Sequence, residues 1–172
     1  MKRHSNLFTI ALTFLMFSSF VVSGQGTKKS PHATASNMVG DLKIEIDYHQ
    51  PGVKGREIWG DLVPYDKVWR TGANNATTIE VNKDVKINGQ ELKAGKYAIF
   101  TIPSKDKMTV IFNSESDQWG SYNHNASKDI LKVEVKTTME EEVVERMRFD
   151  VTEKGDVNFA WEKLRFSFKV KG

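Results

Sequence analysis

Side chains of alternating polarity run through most of the chain, and this pattern limits the folds that it can adopt. In residues 42–48, LKIEIDY, apolar side chains occupy every second position, and Lys43, Glu45 and Asp47 occupy the others. A strand with one buried face and one face in water needs this pattern, because successive side chains point to opposite sides. Similar alternation occurs in residues 129–136, 143–151, 157–161 and 164–170.

Two further segments indicate how the strands are arranged. Asn88-Gly89 lies between short apolar arms and predicts a two-residue hairpin turn, because both residues tolerate positive φ. Residues 97–102 and 108–113 are apolar on both faces, which is typical of central strands. The strongest helical signals, in residues 54–62 and 138–145, predict only one or two turns each.

About nine short strands at spacings of about 10 residues predict an all-β fold. We expect an antiparallel β-sandwich or a flattened barrel. One long loop should cover it, because the connection over residues 49–68 carries too much apolar surface to stay in water.

The first 24 residues have the composition of a secretory signal peptide. Lys2 and Arg3 precede an apolar run over residues 7–22, and small residues precede a cleavage site before Gln25. The run is shorter than the roughly 20 residues that a membrane-spanning helix needs. The predicted organisation is a signal peptide at 1–24, a polar tether at 25–40 that becomes ordered near residues 31–33, and one β-sandwich domain at 41–172. The mature chain is then expected in the periplasm, on the cell surface or outside the cell, with no membrane attachment.

Charge and cysteine content exclude several classes of function. Loss of Lys2 and Arg3 lowers the net charge from +3 to +1, and no basic run follows, so nucleic acid is not an expected partner. The chain has no cysteine, which excludes disulfides, thiol nucleophiles, zinc–thiolate sites and a lipoprotein anchor.

The irregular segments carry the candidate ligand-binding residues. Arginine offers a planar set of donors for an anion, tryptophan offers a flat wall for a ring, and asparagine and threonine add hydrogen-bonding groups. These residue types suit a small-molecule or carbohydrate ligand. The candidates are Arg56, Trp69, Arg70, Thr71, Asn74, Asn75, Trp119, Tyr122 and His124.

These residues also have a purely structural interpretation. Arg56 or Arg70 could cap backbone carbonyls of the 49–68 connection, and the asparagine and threonine side chains could simply stabilise a turn. Trp119 could anchor its loop to the sheet. The sequence leaves both interpretations open.

No catalytic or metal-binding motif is present. The histidines beyond the leader, His32, His49 and His124, form no i, i+4 pair, although they could meet in space with Asp47 or Asp117 beside them. A G-x-S-x-G nucleophile elbow and a P-loop are both absent. We therefore assign no catalytic residue, no metal ligand and no cofactor.

Four segments together resemble a known family. They are SPHATAS (30–36), the stretch YHQPGVKGREIWGDLVPYDKVWRTGANNATTIEV (48–81), LKAGKYAIFTIP (92–103) and DQWGSYNH (117–124). They are similar to a secreted bacterial family, the domain of unknown function 2911. Asp61 and Asp66 stand where that family more often has glycine. The resemblance implies an exported single domain, and it supplies no activity or catalytic residue.

Three functions are compatible with these observations. The first is a non-catalytic binder of a small polar, anionic or carbohydrate ligand, held by the loops at 49–75 and 117–125. The second is a cell-envelope hydrolase that uses His124 or His49 as a base. The third is a structural or interaction domain, against which the polar residues Arg165, Ser167 and Lys169 argue if the last strand lies at a sheet edge.

Overall fold

The computed structural model describes residues 30–172, which contain ten β-strands and no α-helix. A single 3-10 turn, Ala126–Lys128, interrupts the β structure. The strands are β1 (His32–Val39), β2 (Leu42–His49), β3 (Thr77–Val81), β4 (Val85–Ile87), β5 (Gln90–Leu92), β6 (Gly95–Pro103), β7 (Lys107–Asn113), β8 (Asp129–Lys136), β9 (Thr138–Val151) and β10 (Asp156–Lys171).

The strands form two antiparallel sheets packed as a sandwich. The large sheet has the order β1-β2-β3-β6-β7-β8, and the small sheet has the order β5-β4-β10-β9. The predicted β-sandwich is confirmed, and the sheets do not close into a barrel. The expected hairpin is also present, because β4 and β5 pair across Asn88 and Gly89, both at positive φ.

The inner faces of the two sheets form the main core. From β2 it takes Leu42, Ile44, Ile46 and Tyr48, the alternating set of the sequence, and each is buried. Burying apolar surface between two sheets is the main favourable contribution to folding in a domain without disulfides.

The central strands of the large sheet are also buried on their outer face. Ala98 and Phe100 of β6 pack with Ile111 of β7 and with Ala76, and Val68 lies against this second cluster. The pairs β3–β6, β6–β7 and β7–β8 confirm that these apolar strands lie inside the sheet. An antiparallel sheet that is apolar on both faces at its centre needs a cover on each side.

The connection after β2 closes one side of the sandwich by pairing with β9. The Val53 N–H donates to the Glu145 carbonyl at 2.8 Å, and the Met147 N–H donates to the Pro51 carbonyl at 3.0 Å. The Gln50 side chain adds a bond to the Met147 carbonyl at 3.1 Å. These bonds satisfy backbone groups that an exposed edge strand would leave open.

A bulge divides β10, which the sequence predicted as two separate strands. Glu162 has a φ of 51°, and the pairing with β9 shifts register on both sides of it. The inward-facing residues are odd-numbered from Val157 to Trp161 and even-numbered from Leu164 to Val170. The strand thus reverses its faces at this irregularity, which is the usual effect of a bulge.

Several sequence-based expectations were wrong. Residues 54–62 form turns and an isolated bridge, because the preceding Gly52 pairs with Arg146 of β9 and Trp59 pairs with Val63. Residues 138–145 belong to β9, because pairing with β10 overrides their helical propensity. The last strand, β10, lies between β4 and β9, so Arg165, Ser167 and Lys169 do not lie at a sheet edge.

The N-terminal expectations fall partly outside the described residues. The signal peptide at 1–24 and residues 25–29 of the tether lie there. Residues 32–39, in the rest of the tether, form β1, because Ala33, Ala35 and Val39 pack against the core. Within residues 30–172 there is no helix long and apolar enough to cross a membrane.

Gly155 provides a test of the β9–β10 turn. A Cβ at this position would lie 2.3 Å from the Val170 carbonyl oxygen, and the φ of 81° is also unfavourable for alanine. We expect Gly155→Ala to lower the free energy of unfolding, measured by urea denaturation, by more than about 2 kcal/mol.

The matched control is Gly89→Ala, which has a φ of 90° and no atom within 4 Å of the added Cβ. It should lose only the backbone contribution, about 1–2 kcal/mol. Equal losses in the two variants would show that the contact with Val170 is unimportant.

Candidate functional site

Three tryptophans from distant parts of the chain form a cluster at one end of the core. Trp69 and Trp161 stack with ring centroids 5.6 Å apart, and Trp59 meets each of them edge-on at 5.9 Å. Backbone bonds in both directions between Trp69 and Thr101 fix the first ring beside β6. Such aromatic contacts add to the energy of burial.

The turn after Trp69 is rigid. Thr71 is fully buried at a φ of 54°, and its hydroxyl donates to the Thr101 hydroxyl at 3.1 Å. The Thr77 hydroxyl donates to the Thr71 carbonyl at 2.7 Å. A Cβ on Gly72 would lie 2.9 Å from the Thr77 hydroxyl and 3.2 Å from the His49 carbonyl. The glycine therefore permits close packing of the chain on itself.

A depression of about 310 Å³ opens beside this turn, and we call it the Arg70 depression. It contains four of the predicted residues: Arg56, Trp69, Arg70 and Asn74. The rest of its lining is apolar or backbone-rich apart from one serine, and no lining residue is acidic. The remaining lining residues are Ser30, Pro51, Leu62, Val63, Gly72, Ala73 and Trp161.

The two arginines of the depression differ in their contacts. Arg56 donates to the carbonyls of Gly52 at 2.5 Å and Val53 at 3.1 Å, which is the capping role that the sequence left open. The Arg70 side chain makes no hydrogen bond or ion pair with any of residues 30–172, and its Nε is buried. Burial lowers the pKa of the Arg70 guanidinium, and the nearby Tyr122 opposes this shift. Arginine nevertheless remains charged near neutral pH.

Other buried donors near the depression also lack partners. The indole N–H groups of Trp161 and Trp59 are buried without a hydrogen bond among the described residues. Trp161 lines the depression, and Trp59, which does not line it, meets the Trp161 ring edge-on. Most buried polar groups in proteins are paired, so unpaired N–H groups on two lining residues, Arg70 and Trp161, are unusual.

A second loop, residues 114–128, lies along the rim. The Ala76 N–H donates to the Gln118 carbonyl at 2.9 Å, and the Gly120 N–H donates to the Asn74 carbonyl at 3.1 Å. Asn75 and Trp119 form an isolated bridge. Asn75 is therefore at the rim and exposed, and does not line the depression.

His124 anchors the far side of this loop and lies away from the depression. Its Nε2 is 2.9 Å from the Asp129 Oδ1, and its ring meets Phe100 edge-on at 4.8 Å. Asp129 also accepts from Asn113 Nδ2 at 2.8 Å and pairs with Lys132 at 3.0 Å. Burial raises the pKa of the Asp129 carboxyl, but these bonds from Asn113, Lys132 and His124 outweigh it and hold the pKa below its usual value.

The other two histidines of residues 30–172 lie together on β1 and β2. The rings of His32 and His49 are 5.4 Å apart, and His32 Nε2 is 2.6 Å from Asp47 Oδ2. Within residues 30–172, no three histidine, aspartate or glutamate side chains are arranged to hold a metal ion.

The structure thus places the nine predicted residues in three groups. Arg56, Trp69, Arg70 and Asn74 line the depression; Thr71 is buried in the turn; Asn75, Trp119, Tyr122 and His124 belong to the rim or the second loop. Trp161 was not predicted, because its alternating strand pattern marks it only as a core residue. No local signal in the sequence connects it with Trp69.

Comparison with known proteins gives a family and no activity. The family model described as "Protein of unknown function (DUF2911)" matches residues 30–170. No curated protein matches the chain, and no solved structure matches it.

The Asp129 contacts predict a pH-dependent contribution to stability. A folded-state pKa below the unfolded value means that ionised Asp129 stabilises the fold above pH 3.8, and that this contribution is lost as the pH falls through the folded-state pKa. We expect Asp129→Asn to lower the free energy of unfolding at pH 7 by about 1–3 kcal/mol. The difference from wild type should shrink below pH 3.8 in urea titrations.

Asp150→Asn is the control. Asp150 is exposed, and its carboxylate accepts a long hydrogen bond of 3.4 Å from Asn158 Nδ2. It should change stability by less than about 0.5 kcal/mol at both pH values. An Asp129→Asn effect of equal size at pH 7 and pH 3 would contradict the assigned role of the charge.

Proposed function

The chain belongs to the DUF2911 family, and we propose that it is an exported, non-catalytic domain that binds a small anionic ligand in the Arg70 depression. The observation that carries this proposal is the Arg70 guanidinium, which is partly buried and has no hydrogen bond or ion pair with residues 30–172. Arg56, whose donors Nε and Nη2 are used by carbonyls, adds positive charge to the same lining.

An anion would offset a cost that the unliganded protein bears. Removing a charge from water without a partner is unfavourable, and a carboxylate, phosphate or sulfate could accept paired hydrogen bonds from the guanidinium fork. The low local dielectric would strengthen that contact. A rigid turn supports Arg70, so little ordering would be needed on binding.

The composition of the lining supports a negatively charged ligand. The depression contains two arginines and no aspartate or glutamate. A cation would therefore meet repulsion and no acidic side chain. A neutral polar ligand would leave the Arg70 charge uncompensated.

Export is part of the same proposal. The leader-like composition of residues 1–24 supports transfer out of the cytoplasm, so the ligand would be met in the periplasm, on the cell surface or in the medium. A fold without cysteine does not depend on the redox conditions there.

One contact favours the hydrolase as the second candidate. A histidine base needs a partner that orients its ring, and His124 lies 2.9 Å from Asp129. However, His124 does not line the Arg70 depression, and no serine or threonine hydroxyl among residues 30–172 is hydrogen-bonded to it. Turnover of an ester substrate that disappears in His124→Gln would favour this alternative.

Replacement of Arg70 tests the binding proposal. We expect Arg70→Ala to weaken binding of acetate, phosphate or sulfate, measured by isothermal calorimetry, by at least about tenfold, because it removes the charge-assisted hydrogen bonds. The variant should also unfold at an equal or higher urea concentration, because an unpaired, partly buried charge is removed.

Arg148→Ala is the matched control, since Arg148 is an exposed arginine that does not line the depression. It makes the same change in net charge and should leave anion affinity within about twofold of wild type. Equal weakening in both variants would indicate nonspecific attraction. Global unfolding of Arg70→Ala would assign the residue a structural role.

A further inference from the structure

Two aromatic rings are exposed on the loop beside the depression. Trp119 is 62% exposed and Tyr122 is 86% exposed. The other three tryptophans, Trp59, Trp69 and Trp161, are 9%, 8% and 1% exposed. Tryptophan and tyrosine rings combine an apolar face with a polar group, which suits them to binding surfaces.

The backbone that carries these rings is held in place. Residues 118–120 bond to Ala76 and Asn74, and the buried Gln118 Nε2 donates to the Asn113 Oδ1 at 3.2 Å. Contacts of His124 with Asp129 and Phe100 fix the end of the loop. The rings are therefore presented by an anchored segment, which lowers the ordering cost of binding.

Local packing also positions the Tyr122 ring. Gly120 has a φ of 69°, and a Cβ on it would lie 3.1 and 3.2 Å from two Tyr122 ring carbons. The tyrosine ring thus lies against the glycine backbone. Trp119 and Tyr122 on either side of this glycine form what we call the aromatic rim.

The aromatic rim adjoins the Arg70 depression. The Gly120 N–H donates to the carbonyl of Asn74, which lines the depression, at 3.1 Å. Tyr122 is close enough to Arg70 to affect the pKa of its guanidinium. The Arg70 side chain, which has no partner among residues 30–172, and the two exposed rings therefore belong to neighbouring segments, which Asn74 and Asn75 join through the backbone bond to Gly120 and the bridge to Trp119.

We propose that the ligand is an acidic sugar, with its carboxylate on Arg70 and the C–H face of its ring on the aromatic rim. This inference rests on the proposed anion binding and adds the ring-binding part of the site. A sugar has an apolar face that packs on an aromatic ring and hydroxyls that the asparagine amides can bind. The openness of the rim suits such a ligand, because a sugar keeps its remaining hydroxyls in water.

Acrylamide quenching of tryptophan fluorescence tests this arrangement, because Trp119 is the one strongly exposed tryptophan of the four in the chain. Saturating glucuronate should lower the acrylamide quenching constant of the tryptophan fluorescence by about twofold or more, since a stacked sugar covers the Trp119 indole. Acetate should bind at Arg70 and leave quenching unchanged. Glucose, which lacks the carboxylate, should bind at least about tenfold more weakly than glucuronate.

Variants of Trp119 separate the ring contact from the anion contact. Trp119→Ala should weaken glucuronate binding, measured by calorimetry, by about tenfold and leave acetate affinity unchanged. Trp119→Phe keeps an aromatic face and should retain glucuronate affinity within about threefold. Loss of acetate binding in Trp119→Ala would indicate damage to the depression and would overturn a specific ring contact.

The remaining outcomes distinguish the two proposals. If glucuronate binds no more tightly than acetate and quenching does not change, the acidic-sugar inference is overturned and anion binding stands. If benzoate binds more tightly than glucuronate and protects Trp119, the ligand is an aromatic acid, which also overturns the inference. If phosphate or sulfate binds and glucuronate does not, only the acidic-sugar inference is overturned. If acetate, phosphate, sulfate and glucuronate all fail to bind, the proposed function fails together with it.

Discussion

The burial of β6 and β7 on both faces is the constraint on which the structure depends. One face meets the small sheet, and the other carries Ala98, Phe100 and Ile111 in a separate apolar cluster. The small sheet can cover one face only, so irregular segments must cover the other. The 49–76 connection and the loop at 114–128 supply this cover, and they meet at the bond between Asn74 and Gly120.

The candidate site follows from the way these segments cross the edge of the sandwich. Val68 packs in the outer cluster, and the next residue, Trp69, packs in the main core. The chain therefore passes between the two apolar regions at this point. Arg70 is the next residue, and neither region buries its side chain completely. A partly buried guanidinium results from the path of the backbone, and the turn at Thr71 keeps it there.

The sequence allowed prediction of the features that depend on local alternation. The strands in residues 42–48 and 129–136, the Asn88-Gly89 hairpin and the central position of β6 and β7 each require only side-chain period or turn chemistry. Residues 138–145 were misassigned because strand pairing with β10 is a long-range interaction that overrides local propensity. Four of the nine site candidates line the depression because they lie within one irregular segment. Trp161 and the pairing of residues 51–53 with β9 depend on contacts about 90 residues apart in the chain, which a local pattern does not encode.

The bulge at Glu162 determines which side chains in the last part of the chain face the core. Side chains in a strand alternate between the inward and the outward face, and the bulge changes which positions of β10 face inward. A regular strand over the same residues would leave the two halves in conflict, because two residues separate the inward-facing Trp161 and Leu164. Either Trp161 would leave the aromatic cluster, or Leu164, Phe166, Phe168 and Val170 would turn toward water. The bulge therefore constrains the last strand as strongly as its composition does, although Glu162 itself belongs to neither the core nor the candidate site.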